Sequence, residues 1–139
     1  MHNPYKPKYF VVGTFWVLDT PYTFTGVINE LIEDNQEGLE KLTGRIYDVF
    51  GASVLKDIQI TNDIISFNQF YDNNGDRQVI YEFWKPIFGN VWLGKCTDTS
   101  NAINASRIRL IPVESVYMVS NYMVSNASLG IDDSNKFSK

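Results

Sequence analysis

The sequence predicts an all-β fold, and the simplest form of it is a single up-and-down antiparallel β-barrel of about eight strands. Short runs rich in β-branched and aromatic residues recur along the chain, and Gly, Pro, Asn or Asp bounds each run. The links between the runs have the length of hairpins, and no segment before residue 113 repeats apolar residues at helical spacing with clear caps. A two-sheet β-sandwich is the alternative that these observations leave open.

Each predicted strand is a run whose side chains point alternately to opposite faces of a sheet. In the second run, Phe24, Ile28 and Glu30 share one face, while Val27 and Leu31 share the other. The eight predicted strands cover residues 9–19, 24–33, 42–49, 52–61, 64–71, 78–84, 91–97 and 106–113.

Turn residues separate these runs. Pro21, at the end of the segment 19–21, is expected to stop the first strand, because proline lacks the N–H that a central ladder needs. Asn74-Gly75, within residues 72–76, is the clearest hairpin signal, since Asn and Gly accept the positive φ values of a tight turn. Residues 50–51 and 62–63 predict two further tight connections.

The length of 139 residues predicts one domain, with a barrel and a short N-terminal extension in residues 1–113 and a tail in residues 114–139. The tail is rich in Ser and Asn, and it repeats Tyr-Met-Val-Ser-Asn in residues 117–121 and 122–126. We expect the tail to be partly disordered. Its repeat could form a last strand or contact a partner.

Composition and charge exclude several kinds of partner. A formal net charge of -4 and a pI near 4.9 argue against nucleic acid, which clusters of Lys and Arg bind. No apolar run approaches the roughly 20 residues of a membrane-spanning helix, so a soluble protein without a membrane partner is expected. One cysteine, Cys96, forms no intramolecular disulfide, which favours a cytoplasmic location. Homo-oligomerisation is left open.

The first predicted strand carries Gly13-Thr14-Phe15-Trp16, which resembles the Gly-x-Trp opening of calycin barrels, the group of lipocalins, fatty-acid-binding proteins and avidins. Phe15 stands at the tryptophan position of that motif. The resemblance implies an eight-stranded barrel in which a basic residue of the last strand, Arg107 or Arg109, packs over the aromatic residue of the first. It implies no particular ligand.

The residues that most enzymes use are scarce. His2 is the only histidine and lies at the terminus, so an imidazole base in the core is not expected. Cys96 shares a strand face with Trp92 and is expected to be a buried, inert side chain. Glu30 and Asp48 are candidates for a pair of interior carboxylates. The enzyme hypothesis, a lyase, cyclase or isomerase, therefore ranks last, and no cofactor is predicted.

A metal site is not predicted either. Asp72, Asn74 and Asp76 are spaced like the first ligands of a calcium loop. Arg77 and Phe83 stand where such a loop needs a glycine and a bidentate glutamate, so a plain hairpin turn is expected.

The function that the sequence favours is the non-enzymatic binding of a small hydrophobic or aromatic ligand inside the barrel. Aromatic side chains could line such a pocket, although they could equally form an ordinary core. The alternative is a filled barrel that contacts a protein partner through its rim, through the acidic residues 33–37 or through the Tyr-Met-Val repeat. The predicted ligand-binding residues are Tyr47, Phe67, Tyr81, Phe83, Trp84, Trp92 and Arg109.

Overall fold

Eight antiparallel strands form a closed barrel in the computed structural model, which describes residues 3–33 and 37–114. The strands are β1 (Tyr5–Val17), β2 (Thr20–Leu31), β3 (Leu42–Asp48), β4 (Gly51–Ile60), β5 (Ile64–Tyr71), β6 (Asn74–Trp84), β7 (Trp92–Thr97) and β8 (Ile103–Pro112). Each strand pairs with the next in sequence, and β1 pairs with β8 to close the sheet. The predicted all-β up-and-down barrel is confirmed, and the sandwich alternative is wrong. His2 and the repeat in the tail lie outside the described residues.

The barrel has two different ends. The β1–β2, β3–β4, β5–β6 and β7–β8 connections meet at one end, which we call the hairpin end. The β2–β3, β4–β5 and β6–β7 connections meet at the other, the open end, together with the start of β1 and the end of β8. Successive antiparallel strands place these connections at alternate ends.

Two glycines allow the interior to pack closely. A Cβ on Gly13 in β1 would lie 2.0 Å from Cζ of Phe24, so glycine leaves the space that the Phe24 ring occupies. A Cβ on Gly94 in β7 would lie 1.9 Å from the carbonyl oxygen of Glu82 in β6. Side chains at these positions would push apart neighbouring parts of the barrel.

The first turn differs from its prediction. The chain turns at Leu18 and Asp19, where Leu18 has a φ of 56°, and β2 already begins at Thr20. Pro21 lies within β2 and pairs with Trp16 of β1. It does not stop a strand because β3 joins β2 only from Thr25 onward. Where a strand is open on one side, it tolerates a proline.

The β5–β6 hairpin forms, but its turn is not at Asn74-Gly75. Asp72 and Asn73 make the turn, and Tyr71 pairs with Asn74. The positive φ values among the described glycines are at other positions, so the predicted role of Gly75 is wrong. An irregularity in the register, from Phe70↔Gln78 to Tyr71↔Asn74, takes up the additional residues of β6.

The architecture is the one that the calycin resemblance implies, and the arginine–aromatic contact is present on a different residue. The guanidinium carbon of Arg107 in β8 lies 5.4 Å from the centroid of the Trp16 ring in β1. Phe15, the residue at the motif's tryptophan position, points inward and is buried. Neighbouring residues of a strand face opposite sides of the sheet, so this contact lies on the outer wall.

Candidate functional site

Aromatic side chains fill the centre of the barrel. Phe24, Phe67, Tyr81 and Phe83 are at most 1% exposed. The centroid of the Tyr81 ring lies 5.4 Å from that of Phe24, 5.0 Å from that of Phe67 and 5.8 Å from that of Phe83. Side chains covered so completely leave no water-sized gap beside them. Eight-stranded barrels either fill their interior or hold one small ligand, and these rings fill this one.

The structure places the predicted ligand-binding residues in three separate regions. Some fill the axis, some lie on the outer wall, and one lies at the open end. Phe67, Tyr81 and Phe83 belong to the buried core, while Tyr47, Trp84 and Arg109 are exposed and Trp92 lines a cleft at the open end. These seven residues therefore do not converge on one pocket, and their part in ligand binding stays a prediction.

A polar cluster of Asp48, Ser53, Gln69 and Tyr71 lies inside the barrel near the hairpin end. The Tyr71 hydroxyl donates a hydrogen bond of 2.6 Å to Oδ2 of Asp48. Nε2 of Gln69 donates to Oγ of Ser53 at 2.9 Å and to Oδ2 of Asp48 at 3.2 Å. Oε1 of Gln69 is buried and accepts no hydrogen bond from the described residues. Burial, and the bond to Asp48, hold the pKa of Tyr71 well above its ordinary value of 10.0.

Aromatic rings cover the polar cluster and close the hairpin end. The Phe50 ring lies 6.3 Å from that of Phe15 and 5.9 Å from that of Tyr22, between ring centroids. The guanidinium carbon of Arg77 lies 4.9 Å from the centroids of both Phe50 and Tyr71. These two contacts hold the Arg77 guanidinium against both rings, next to the polar cluster.

Cys96 is buried, as predicted, and it lies near Tyr81. Burial is the main reason that the pKa of the thiol rises from 9.0 to about 11, and the nearby charge of Asp98 adds to the rise. Burial also raises the pKa of Tyr81 well above 10.0. A thiol with a raised pKa is a poor nucleophile near neutral pH, so Cys96 fits a structural role.

The two candidate carboxylates do not form a pair. Asp48 lies at the hairpin end, whereas Glu30, near the end of β2, lies at the open end. Glu30 forms an ion pair with Lys8, with Nζ and Oε2 3.1 Å apart, and both side chains are partly exposed. Within residues 3–33 and 37–114, no group of three or more His, Cys, Asp or Glu side chains could hold a metal ion.

Shallow clefts surround the open end. One, of about 660 Å³, has Leu31, Leu42, Ile58 and Ile60 among its lining residues, together with charged side chains such as Lys8 and Glu30. Another, of about 380 Å³, lies between Tyr9, Ile60, Ile65, Trp92 and Leu110. Both are open to solvent, so a molecule bound here would lie on the mouth of the barrel and not along its axis.

Several strongly exposed apolar side chains lie together where β6 and β7 meet their connecting loop. Ile87 and Phe88 are each 90% exposed, Leu93 is 65% exposed and Trp84 is 49% exposed. With Val91 these residues line a cleft of about 450 Å³, which we call the β6–β7 surface. Lys85 and Pro86 complete its lining.

Sequence reasoning found only part of this surface. It selected Trp84 as a site residue but placed it inside the barrel with Phe83, although adjacent residues of a strand point to opposite faces. It passed over Ile87 and Phe88. The available signal was two large apolar residues between Pro86 and Gly89, in a segment where turn residues predict a loop. Two adjacent apolar residues in a short loop at the edge of a barrel cannot reach its core, so their side chains are exposed to solvent.

The fold and its surfaces define a closed eight-stranded antiparallel barrel with a packed interior and an apolar surface on its outer wall. Comparison with family models, with curated proteins and with solved structures found no match for this chain. In the part of the chain that the structure describes, no helix is long and apolar enough to cross a membrane.

Proposed function

We propose that this protein is an interaction scaffold whose filled barrel presents the β6–β7 surface to a protein partner. The observation that carries the proposal is the nearly complete exposure of Ile87 and Phe88 beside Trp84 and Leu93. Single exposed apolar residues are common, but contiguous apolar patches on a monomer often mark binding surfaces. The occupant that we propose is a protein segment that inserts a large apolar side chain into the cleft.

The position of the loop supports this proposal. It leaves β6 and enters β7, two neighbouring strands of a closed sheet, and the backbone N–H of Lys85 donates to the carbonyl oxygen of Asp63 at 2.9 Å. The base of the loop is thus tied to the β4–β5 connection. Trp84 and Leu93 of this surface belong to paired strands, so their backbone loses little conformational freedom when a partner binds. Aromatic and large aliphatic anchors in a pocket supply most of the affinity at protein interfaces.

Photo-crosslinking tests the proposal directly. A benzophenone amino acid at position 88 of the full chain, expressed in its native host, is expected to crosslink one reproducible protein. Mass spectrometry identifies that protein, and its purified form is titrated with the unmodified chain. We expect Ile87→Ser with Phe88→Ser to weaken binding about tenfold or more, because two buried apolar contacts are lost.

Leu18 provides the matched control. It is 91% exposed at the hairpin end, far from the β6–β7 surface, so Leu18→Asn removes an exposed apolar side chain of similar size. This variant is expected to bind the partner like the original chain. Equal affinity of the loop variant and the original chain contradicts the proposal, as does the same crosslinking pattern from positions 18 and 88.

A second candidate function is the binding of a small, partly hydrophobic molecule at the open end. The cleft lined by Leu31, Leu42, Ile58 and Ile60 favours it, because its apolar side chains stand next to charged ones. Such a mixture suits an amphipathic ligand. The site differs from the one that the sequence suggested, since it lies on the mouth and uses few of the predicted residues.

Native mass spectrometry of the protein purified from its host tests this second function. A reproducible adduct is expected, and Ile60→Ser is expected to abolish it, because Ile60 lines both clefts at the open end. Ile80→Ser is the control, since Ile80 is 40% exposed on the outer wall. Absence of any adduct, or an adduct that both variants retain, contradicts ligand binding at the mouth.

A further inference from the structure

We infer that the segment bound by the β6–β7 surface is acidic, with a large apolar side chain flanked by Asp or Glu residues. This inference rests on the proposed function and names the chemistry of the partner. The observation behind it is that Lys85 lines the apolar cleft and that three more cationic side chains stand on the adjoining wall of β7 and β8, on a protein whose formal net charge is -4.

One cation lines the cleft and three lie on the wall beside it. Lys85 belongs to its lining. Arg107 of β8 is the register partner of Leu93, so the two side chains stand side by side on the outer wall. Lys95 follows two residues after Leu93 on the same face, and Arg109 follows two residues after Arg107.

Few anions offset these cations. Glu82 is the register partner of Lys95 and stands on the same wall. Asp63 lies beside Lys85, whose backbone N–H donates to the Asp63 carbonyl oxygen. Within residues 3–33 and 37–114 the ion pairs are Lys8–Glu30 and Arg45–Asp72, and neither includes any of the four cations. With four cations against the two anions Glu82 and Asp63, the net charge beside the cleft is positive, and it attracts carboxylates while it repels basic segments.

Arg107 contributes to the charge of this wall from its far side. Its guanidinium stacks over the Trp16 ring, with 5.4 Å between the guanidinium carbon and the ring centroid. Trp16 belongs to β1, which pairs with β8 on the side away from β7. Arg107 therefore adds positive charge beside the cleft, while Lys85 is the cation that lines it.

The same charges disfavour two other occupants. A symmetric dimer through this surface would bring the four cations of one copy against the same four of another. A lipid bilayer presents a broad surface, whereas the apolar residues here line a concave cleft of about 450 Å³, a shape that suits an inserted side chain. A protein segment with an apolar anchor and acidic flanks satisfies both the shape and the charge.

The test uses a displayed library of random short peptides, selected on the immobilised full-length protein. We expect the enriched peptides to carry a net negative charge around one large apolar residue. For an enriched peptide made synthetically, Lys85→Glu with Arg109→Glu is expected to weaken binding about tenfold or more, and added salt to reduce the difference. Lys41→Glu with Lys56→Glu is the control, because it makes the same change in net charge away from the surface.

The outcomes separate the two proposals. If the enriched peptides are neutral or basic but no longer bind the Phe88→Ser variant, the proposed acidic partner is wrong and the proposed docking surface stands. Peptides that bind Phe88→Ser unchanged overturn the surface itself. Two other results overturn the inferred occupant: a concentration-dependent dimer lost in Phe88→Ser, and cosedimentation of the protein with phosphatidylserine vesicles.

Discussion

At the scale of single residues, Asp48 connects the polar groups at the hairpin end. Its carboxylate accepts hydrogen bonds from the Tyr71 hydroxyl, from Nε2 of Gln69 and from the backbone N–H of Phe50. Two of these donors belong to side chains that are at most 3% exposed. When a buried donor loses its acceptor, no water molecule takes the acceptor's place. The loss of such a hydrogen bond therefore lowers the free energy of unfolding more than the loss of a bond on the surface.

We therefore expect Asp48→Ala to lower the free energy of unfolding by about 1–3 kcal/mol, measured by urea denaturation. Asp72→Ala is the comparison, because Asp72 pairs with Arg45 and both side chains are more than 40% exposed. Removal of that surface pair is expected to cost about 1 kcal/mol or less. Equal losses in the two variants are incompatible with a stabilising interior cluster.

At the scale of strands, the sequence predicts which segments are extended better than where they turn or which face is inside. All eight strands overlap their predicted ranges, because runs of β-branched and aromatic residues suit a pleated surface. The turns at Leu18 and at Asp72 differ from the predicted ones. The position of each turn depends on how its strands pair with their neighbours. The turn residues alone carry no information about that pairing.

Which face of a strand points into the barrel is equally hard to predict when both faces are apolar. In β6, Tyr81 and Phe83 point into the barrel, while Ile80 and Trp84 point outward and are 40% and 49% exposed. A period of two separates these sets but does not say which one is buried. For this reason the sequence assigned Trp84 of the β6–β7 surface to the same pocket as Tyr81 and Phe83 of the core.

At the scale of the whole molecule, the side chains that stabilise the barrel lie on its axis, and the binding surfaces that we propose lie outside it. Interdigitated rings and the polar cluster occupy the interior, so the surfaces that remain for partners are the wall and the open end. The same packing buries three weak acids, Tyr71, Tyr81 and Cys96, each with a raised pKa. Their protons couple the stability of the entire barrel to alkaline pH.

We expect the free energy of unfolding to fall as the pH rises above about 9 to 10. In the unfolded chain Tyr81 loses its proton near pH 10.0, whereas the folded barrel keeps it to higher pH, so the folded state binds more protons and stability decreases. Each such group contributes up to about 1.4 kcal/mol per pH unit. Urea titrations between pH 7 and 11 measure how steeply the free energy of unfolding falls with pH. Tyr81→Phe keeps the stacked ring and is expected to make this slope shallower by up to about 1.4 kcal/mol per pH unit. Because the raised pKa values of Tyr71 and Cys96 contribute to the slope of both proteins, the difference between the two slopes is the decisive quantity. Identical slopes would show that the buried hydroxyl does not resist ionisation.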